Sequence, residues 1–265
     1  MKTRYPKEFL YSLGSLLAAT IVIHGIWTAW VRPNAQAVLG AQAESMRKDP
    51  NYVPQRSMFV IMKDWEQESC VILMIWAVAI IVLKNRTTRR EQDLLDADPV
   101  RVPEGMRILP EDTREYVRQL ESLPAEQQQS LVVRASKAAL ARFGATRNVQ
   151  DVSEAGHAVC AAEAERLDSE LSMLRYIAWA IPAIGFIGTV RGIGDALSEA
   201  HKAVTGDISG VTEGLGVAFN STLVALLLSL VLMFLLHQLQ LAQERLVLDA
   251  ETYLDNRLLR NLQVR

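Results

Sequence analysis

Four runs free of Asp, Glu, Lys and Arg interrupt an otherwise charged chain, and they decide what it can fold into. Phe9–Val31 and Gly214–Leu236 each hold 23 such residues, while Ser69–Leu83 and Tyr176–Val190 each hold 15. At about 1.5 Å of rise per residue, some 20 apolar residues cross the roughly 30 Å hydrocarbon core of a bilayer. The two long runs span it outright; the two short ones cross only if flanking charges sit at the interface or the bilayer thins. Half of the 265 residues are apolar and 22% are charged, which excludes a disordered chain and a soluble, basic nucleic-acid binder. The expected fold is an all-α integral membrane protein with four transmembrane helices.

Lys and Arg near the span ends set the expected orientation. Lys2, Arg4 and Lys7 precede the first span, and Lys84, Arg86, Arg89 and Arg90 follow the second. Both clusters belong on the cytoplasmic side. The first run is too long for a signal peptide and Gln36-Ala37 is a poor cleavage context, so it reads as a retained anchor. The expected layout is an N-terminus and first span over 1–31, a periplasmic loop over 32–68, a second span over 69–84 and a cytoplasmic helical domain over 85–172. A third span over 173–193, a periplasmic turn over 194–213, a fourth span over 214–237 and a cytoplasmic C-terminal helix over 238–265 complete it.

Within the 85–172 insert the pattern predicts helices over Asp112–Leu123 and Ala125–Phe143, a turn at Gly144, and a helix from Val149 running on into the third span. In the tail, Leu239, Val247, Ala250, Leu254, Leu258 and Leu262 recur at mostly helical spacing, as expected of a helix packing on its neighbours. Cys70 and Cys160 are too few for a disulfide framework.

The third and fourth spans differ in kind from the first, because their small and polar residues fall on helical stripes. Ala218, Thr222, Ala225 and Ser229 line one face of the fourth span, with Ser221 and Asn220 at its edge, while Leu223, Leu227, Leu230 and Phe234 take the opposite side. In the third, Gly185, Gly188 and Gly192 accompany Thr189, and Gly188 to Gly192 is the GxxxG spacing that lets helix backbones approach closely. Tight packing with hydroxyls bonded back to their own helices is one reading; a polar seam between the spans is the other. A seam of hydroxyls solvates a moving ion but holds no charge, and neither span carries a carboxylate. The titratable group is then expected from a partner helix, since carboxylates inside bilayers mark ion pathways.

The stretch Pro182-Ala-Ile-Gly185-Phe-Ile-Gly188-Thr189-Val-Arg-Gly192 resembles the P-x-x-G-x-x-G-T-x-x-G motif of the MotA/TolQ/ExbB proton-channel family. Ala218-Phe-Asn-Ser-Thr222-Leu-Val-Ala225-Leu226 is similar to that family's A-L-x-x-T-x-x-G-L segment. The resemblance implies a stator-type subunit of an ion-driven motor in the bacterial inner membrane, with both termini cytoplasmic. It implies five copies of this chain around a dimer of a MotB/TolR/ExbD-like single-span partner that carries the ion-binding Asp. By position, Thr189 and Thr222 fall on the family's two pore threonines and Pro182 on the proline at the inner end of the pore helix. Where TolQ-like and ExbB-like members carry a glutamate five residues before the span-four threonine, Val217 stands here, and the nearest acid is Glu213. Four spans with a long insert resemble the MotA layout.

Proton is the expected ion and sodium the alternative, since Ser221 adds an oxygen of the kind hard cations prefer. Arg191 is expected to pair with Asp195, its i+4 neighbour, or to snorkel to the headgroups at the outer mouth. His24, one turn from Trp27 and two from Trp30, reads as an interfacial histidine in an aromatic belt rather than a functional group. His157, Cys160 and Glu163 share a helix face, but no second ligand pair accompanies them, so no metal site and no cofactor are expected. No nucleophile-elbow, zinc-protease or phosphate-loop motif supports an enzyme. A non-conducting scaffold or signalling subunit is the main rival; a secondary transporter ranks last for want of internal repeats.

Overall fold

The structure, a computed structural model, describes residues 7–49, 52, 55–103 and 106–264. Among them every secondary-structure element is a helix, apart from one parallel pairing of Ile108 with Leu262. Four helical stretches are long and apolar enough to cross a membrane: Leu10–Lys48, Trp65–Asp96, Val149–Ser198 and Ser209–Asn261. Lys2 and Arg4, on which the N-terminal orientation partly rests, lie outside the described residues. The chain divides into two units, one holding residues up to Ile81 with Met173–Leu236, the other Val82–Ser172 with the residues from His237 onward.

In the first unit, α1 (Lys7–Ile26) passes through a π-helical turn, Trp27–Val31, into α2 (Arg32–Lys48). The stretch read as a loop from Arg32 is therefore largely helix. Pro33 lacks an N–H and would clash with the carbonyl one turn back, but the widened turn, in which the Arg32 N–H reaches the Trp27 carbonyl, lets the helix pass it. The same turn buries Trp27, whose indole N–H donates to the Met62 carbonyl at 2.8 Å at the end of α3 (Met58–Met62). Beyond it, α4 (Trp65–Asp96) begins one turn earlier than the apolar run.

The third apolar run lies in α9 (Ser172–Ser198), and the fourth in α11 (Ser209–Tyr253), which continues unbroken into the tail. The expected turn between them is partly helical, since α9 extends to Ser198 and α10 (Ala200–Ala203) follows. Asp207 opens α11 by accepting from the Ser209 N–H at 3.0 Å and its hydroxyl at 2.5 Å, bonds that hold its carboxyl below the usual range.

In the second unit, α5 (Thr113–Glu121), α6 (Ala125–Gln128), α7 (Leu131–Thr146) and α8 (Val149–Glu170) surround a core that includes Leu120, Val133, Leu140, Phe143 and Val152. The tail stripe joins this core: Val247, Ala250, Leu254, Leu258 and Leu262 are all buried in it. The α7 N-terminus is capped from a distance, with Glu91 accepting from the Leu131 N–H at 2.9 Å.

Gly144 does not make the expected turn. It lies inside α7, where a Cβ would fall 2.8 Å from the Thr113 hydroxyl, and the reversal comes at Arg147 in the left-handed region (φ 54). The helix from Val149 is likewise interrupted once, at Leu171, before α9 begins.

Tyr253 ties the second unit's loop to its tail, accepting from the buried Val100 N–H at 3.0 Å and donating to Asp98 at 2.6 Å. Tyr253→Phe strands that N–H and is expected to cost about 1–3 kcal/mol, seen as a lower melting temperature of the purified protein.

Candidate ion pathway

Within the first unit, α9 and α11 approach until their backbones touch, because glycine leaves room for nothing else. A Cβ at Gly192 would fall 2.5 Å from both the Ala218 nitrogen and the Gly214 oxygen. One at Gly185 would overlap the Ala225 side chain, and one at Gly188 would overlap Ser221. The expected stripe residues therefore face one another: Ala218, Ser221 and Ala225 are buried against α9, while Leu223, Leu227, Leu230 and Phe234 are exposed on the far side.

The two threonines meet in this seam. Their hydroxyls are in direct hydrogen-bond contact, and each also reaches two carbonyls: Thr189 those of Gly185 at 3.2 Å and Ala218 at 3.3 Å, Thr222 those of Ala218 at 3.2 Å and Gly185 at 3.4 Å. Two hydroxyls and two carbonyls thus form one oxygen cluster that joins the helices. Ser221, expected at the edge, lies inside, donating to the Val217 carbonyl at 2.8 Å. Asn220 is half-buried and forms no side-chain hydrogen bond among the described residues.

Pro182 and Ser229 prove to be one device. Proline at 182 has no N–H for the carbonyl of Ala178, four residues earlier, and the Ser229 hydroxyl on α11 donates to that same carbonyl at 3.3 Å. Ser229→Ala is expected to destabilise by about 1 kcal/mol, and by less in a Pro182→Ala background, where the helix regains its own donor. A double-mutant cycle on detergent unfolding checks this.

Arg191 pairs with Asp195, as expected, and has a closer partner besides. Its main partner is Glu66 on α4, with Nε to Oε1 at 2.6 Å and Nη2 to Oε2 at 3.0 Å, whereas Asp195 stands 3.5 Å away and Asp64 3.6 Å. The Glu66 side chain has no solvent exposure, and Gln67 and Glu68 are buried beside it. Glu68 is bracketed by His24 Nδ1 at 2.6 Å and Arg32 Nη2 at 2.5 Å, so His24 contacts a buried carboxylate besides being a neighbour of tryptophans. Burial pushes the Asp64 carboxyl above its usual range, against the pull of Lys63 and Arg191.

The sequence reading missed Glu66, Gln67 and Glu68. One signal was available: 15 uncharged residues cover only about 22 Å as a helix, so the second span had to borrow a turn at one end.

His157, Cys160 and Glu163 do not converge on a common point. His157 lies 3.5 Å from both Glu251 and Asp255, while Glu163 pairs with Arg134 at 2.8 Å and Arg166 at 2.7 Å.

Four apolar helical spans with close glycine contacts and a buried polar seam define a multi-pass, all-helical membrane protein. More particularly, residues 127–252 match the MotA/TolQ/ExbB proton channel family, so the chain carries a domain of that family over this stretch. Such a domain implies a proton channel of a MotA/TolQ/ExbB-type motor, a channel or motor subunit rather than an enzyme, and MotB/TolR/ExbD-type partners. Among curated proteins and among solved structures, none matches the chain.

Proposed function

We infer that this chain is the ion-conducting subunit of an inner-membrane motor, passing protons along the α9–α11 seam and turning ion-motive force into movement of a partner. The observation that carries the reading is the meeting of Thr189 and Thr222, with the Gly185 and Ala218 carbonyls completing an uncharged cluster of oxygens. Neither helix supplies a carboxylate to that cluster. The single-span partner provides it as an Asp, two partner copies standing within five copies of this chain. The exposed apolar face of α11, with Leu227, Leu230 and Phe234, then meets lipid or the neighbouring copy.

The basic cluster Lys84, Arg86, Arg89 and Arg90 supports a cytoplasmic 85–172 stretch and cytoplasmic termini, with Arg191 toward the outer face. Each proton moved down a 100 mV potential supplies about 2.3 kcal/mol, so a large mechanical step takes several.

The test is ion flux into vesicles containing this chain with and without its single-span partner, under a proton gradient and separately under a sodium gradient. Partner-dependent flux under the proton gradient alone is the expected result; flux under sodium alone would reassign the ion. A non-conducting scaffold is the competing reading, favoured by the bonds each threonine also makes to its own helix. It predicts no flux under either gradient.

A further inference from the structure

Glu66 touches the seam directly. Its Cγ lies 3.1 Å from the position a Gly188 Cβ would occupy, and the Ser221 Oγ lies 2.5 Å from the same position. Gly188 and Ser221 immediately precede Thr189 and Thr222 in the sequence, so a fully buried acidic side chain packs on the seam one residue along each helix from the threonine pair.

Gln67, the next residue on α4, is 1% exposed; its amide nitrogen is 3.5 Å from the Ser221 Oγ, while its buried amide oxygen meets no donor among the described residues. One buried oxygen of Asp64 also lacks a donor there. Unmatched buried acceptors are uncommon, and two flank this carboxylate.

The local charges are unbalanced in the same sense. Asp64, Glu66 and Asp195 all lie within 3.6 Å of one guanidinium, that of Arg191. Lys63 is drawn to Glu213 on α11 at 3.0 Å, and Glu68 has its own cation in Arg32, with the His24 Nδ1 also at hydrogen-bond distance. Arg191 can therefore leave Glu66 without losing its ion pairing, because two other carboxylates already lie alongside.

We propose that Glu66 is this chain's own proton-exchanging residue at the outer end of the seam, freed to take a proton when Arg191 shifts to Asp64 and Asp195. This rests on the seam being an ion path whose Arg191 end faces outward. A hydronium ion at the outer face gives its proton to the Glu66 carboxylate, forming one O–H bond and leaving water. The neutral acid then releases that proton inward, past Ser221 and the threonine pair, to the partner's carboxylate. With its charge restored, Glu66 recaptures Arg191. One proton crosses per cycle and nothing is oxidised or reduced.

The experiment is proton flux in vesicles holding this chain with its partner, run side by side for the unaltered chain, Glu66→Gln and Thr222→Val while the external pH is varied. Glu66→Gln is expected to assemble and to conduct roughly tenfold less or worse, with the response to external pH flattened. An assembled Glu66→Gln complex with the unaltered rate and pH profile overturns the proposal while leaving the channel intact. Thr222→Val conducting normally would mean that the seam reading itself has failed.

Since the Gln variant could fail to assemble, the unaltered complex is also treated with dicyclohexylcarbodiimide, which modifies protonated carboxyl groups in apolar surroundings. Modification of Glu66 that speeds up as external pH falls is expected. An unmodified Glu66 at every pH where flux proceeds overturns the proposal.

Discussion

Gly192→Val is expected to yield almost no folded protein. The new Cβ would stand 2.5 Å from the Ala218 nitrogen and the Gly214 oxygen and 3.0 Å from the Ala218 Cα, all of them backbone atoms of α11. Side chains can rotate away from a clash, but two helix backbones can only move apart. Separation would break the bonds that Thr189 and Thr222 make across the seam and withdraw Ser229 from the Ala178 carbonyl. Overpacking of this kind, added to those lost bonds, costs about 3 kcal/mol or more. Gly194, two residues on, provides the control: a Cβ there meets nothing within 4 Å, so Gly194→Ala should change stability by about 0.5 kcal/mol or less. Membrane yield and thermal unfolding in detergent would separate the two variants.

Thr222→Val is expected to have the opposite profile, with assembly kept and flux lost. Valine matches threonine in shape, so the close approach of α9 and α11 survives. What disappears is an oxygen that contacts the Thr189 hydroxyl and lies 3.4 Å from the Gly185 carbonyl. A methyl group in its place offers a moving proton or hydrated cation no partner. A fall of about a hundredfold, roughly 2.7 kcal/mol of barrier, is the expected size. The structural cost is smaller, about 1 kcal/mol, because the Thr189 hydroxyl keeps its own contact with the Gly185 carbonyl.

What could be read from the sequence was whatever depends on local spacing. Uncharged runs located four spans because helix rise and bilayer thickness are fixed lengths. Residues three and four apart share a helix face, so Gly185, Gly188, Gly192, Ala218, Thr222 and Ala225 declared their common seam in advance. The tail stripe of Val247, Leu254 and Leu258 reached the core for the same reason.

What stayed hidden depends on partners distant in sequence. Arg191 finds Glu66 from 125 positions away, whereas spacing pointed only to Asp195 on its own helix. Glu66 and Glu68 look like the end of a span until Arg191 and Arg32 are seen to pair with them, yet α4 begins at Trp65. Ser229 falls on the stripe of small residues, yet its hydroxyl satisfies a carbonyl that Pro182 leaves open, a pairing that no stripe reveals. Gly144 misled in a simpler way. It is a residue that usually stops a helix, and here a close neighbour, Thr113, explains its place inside one.

The most direct test of the channel is proton flux into vesicles carrying this chain and its single-span partner, measured for the unaltered chain and for Thr222→Val at equal assembly. Flux that requires the partner and falls about a hundredfold in the variant is the predicted result. Equal flux from the two assembled complexes, or none from either, would contradict the assignment of the Thr189–Thr222 seam as the ion path.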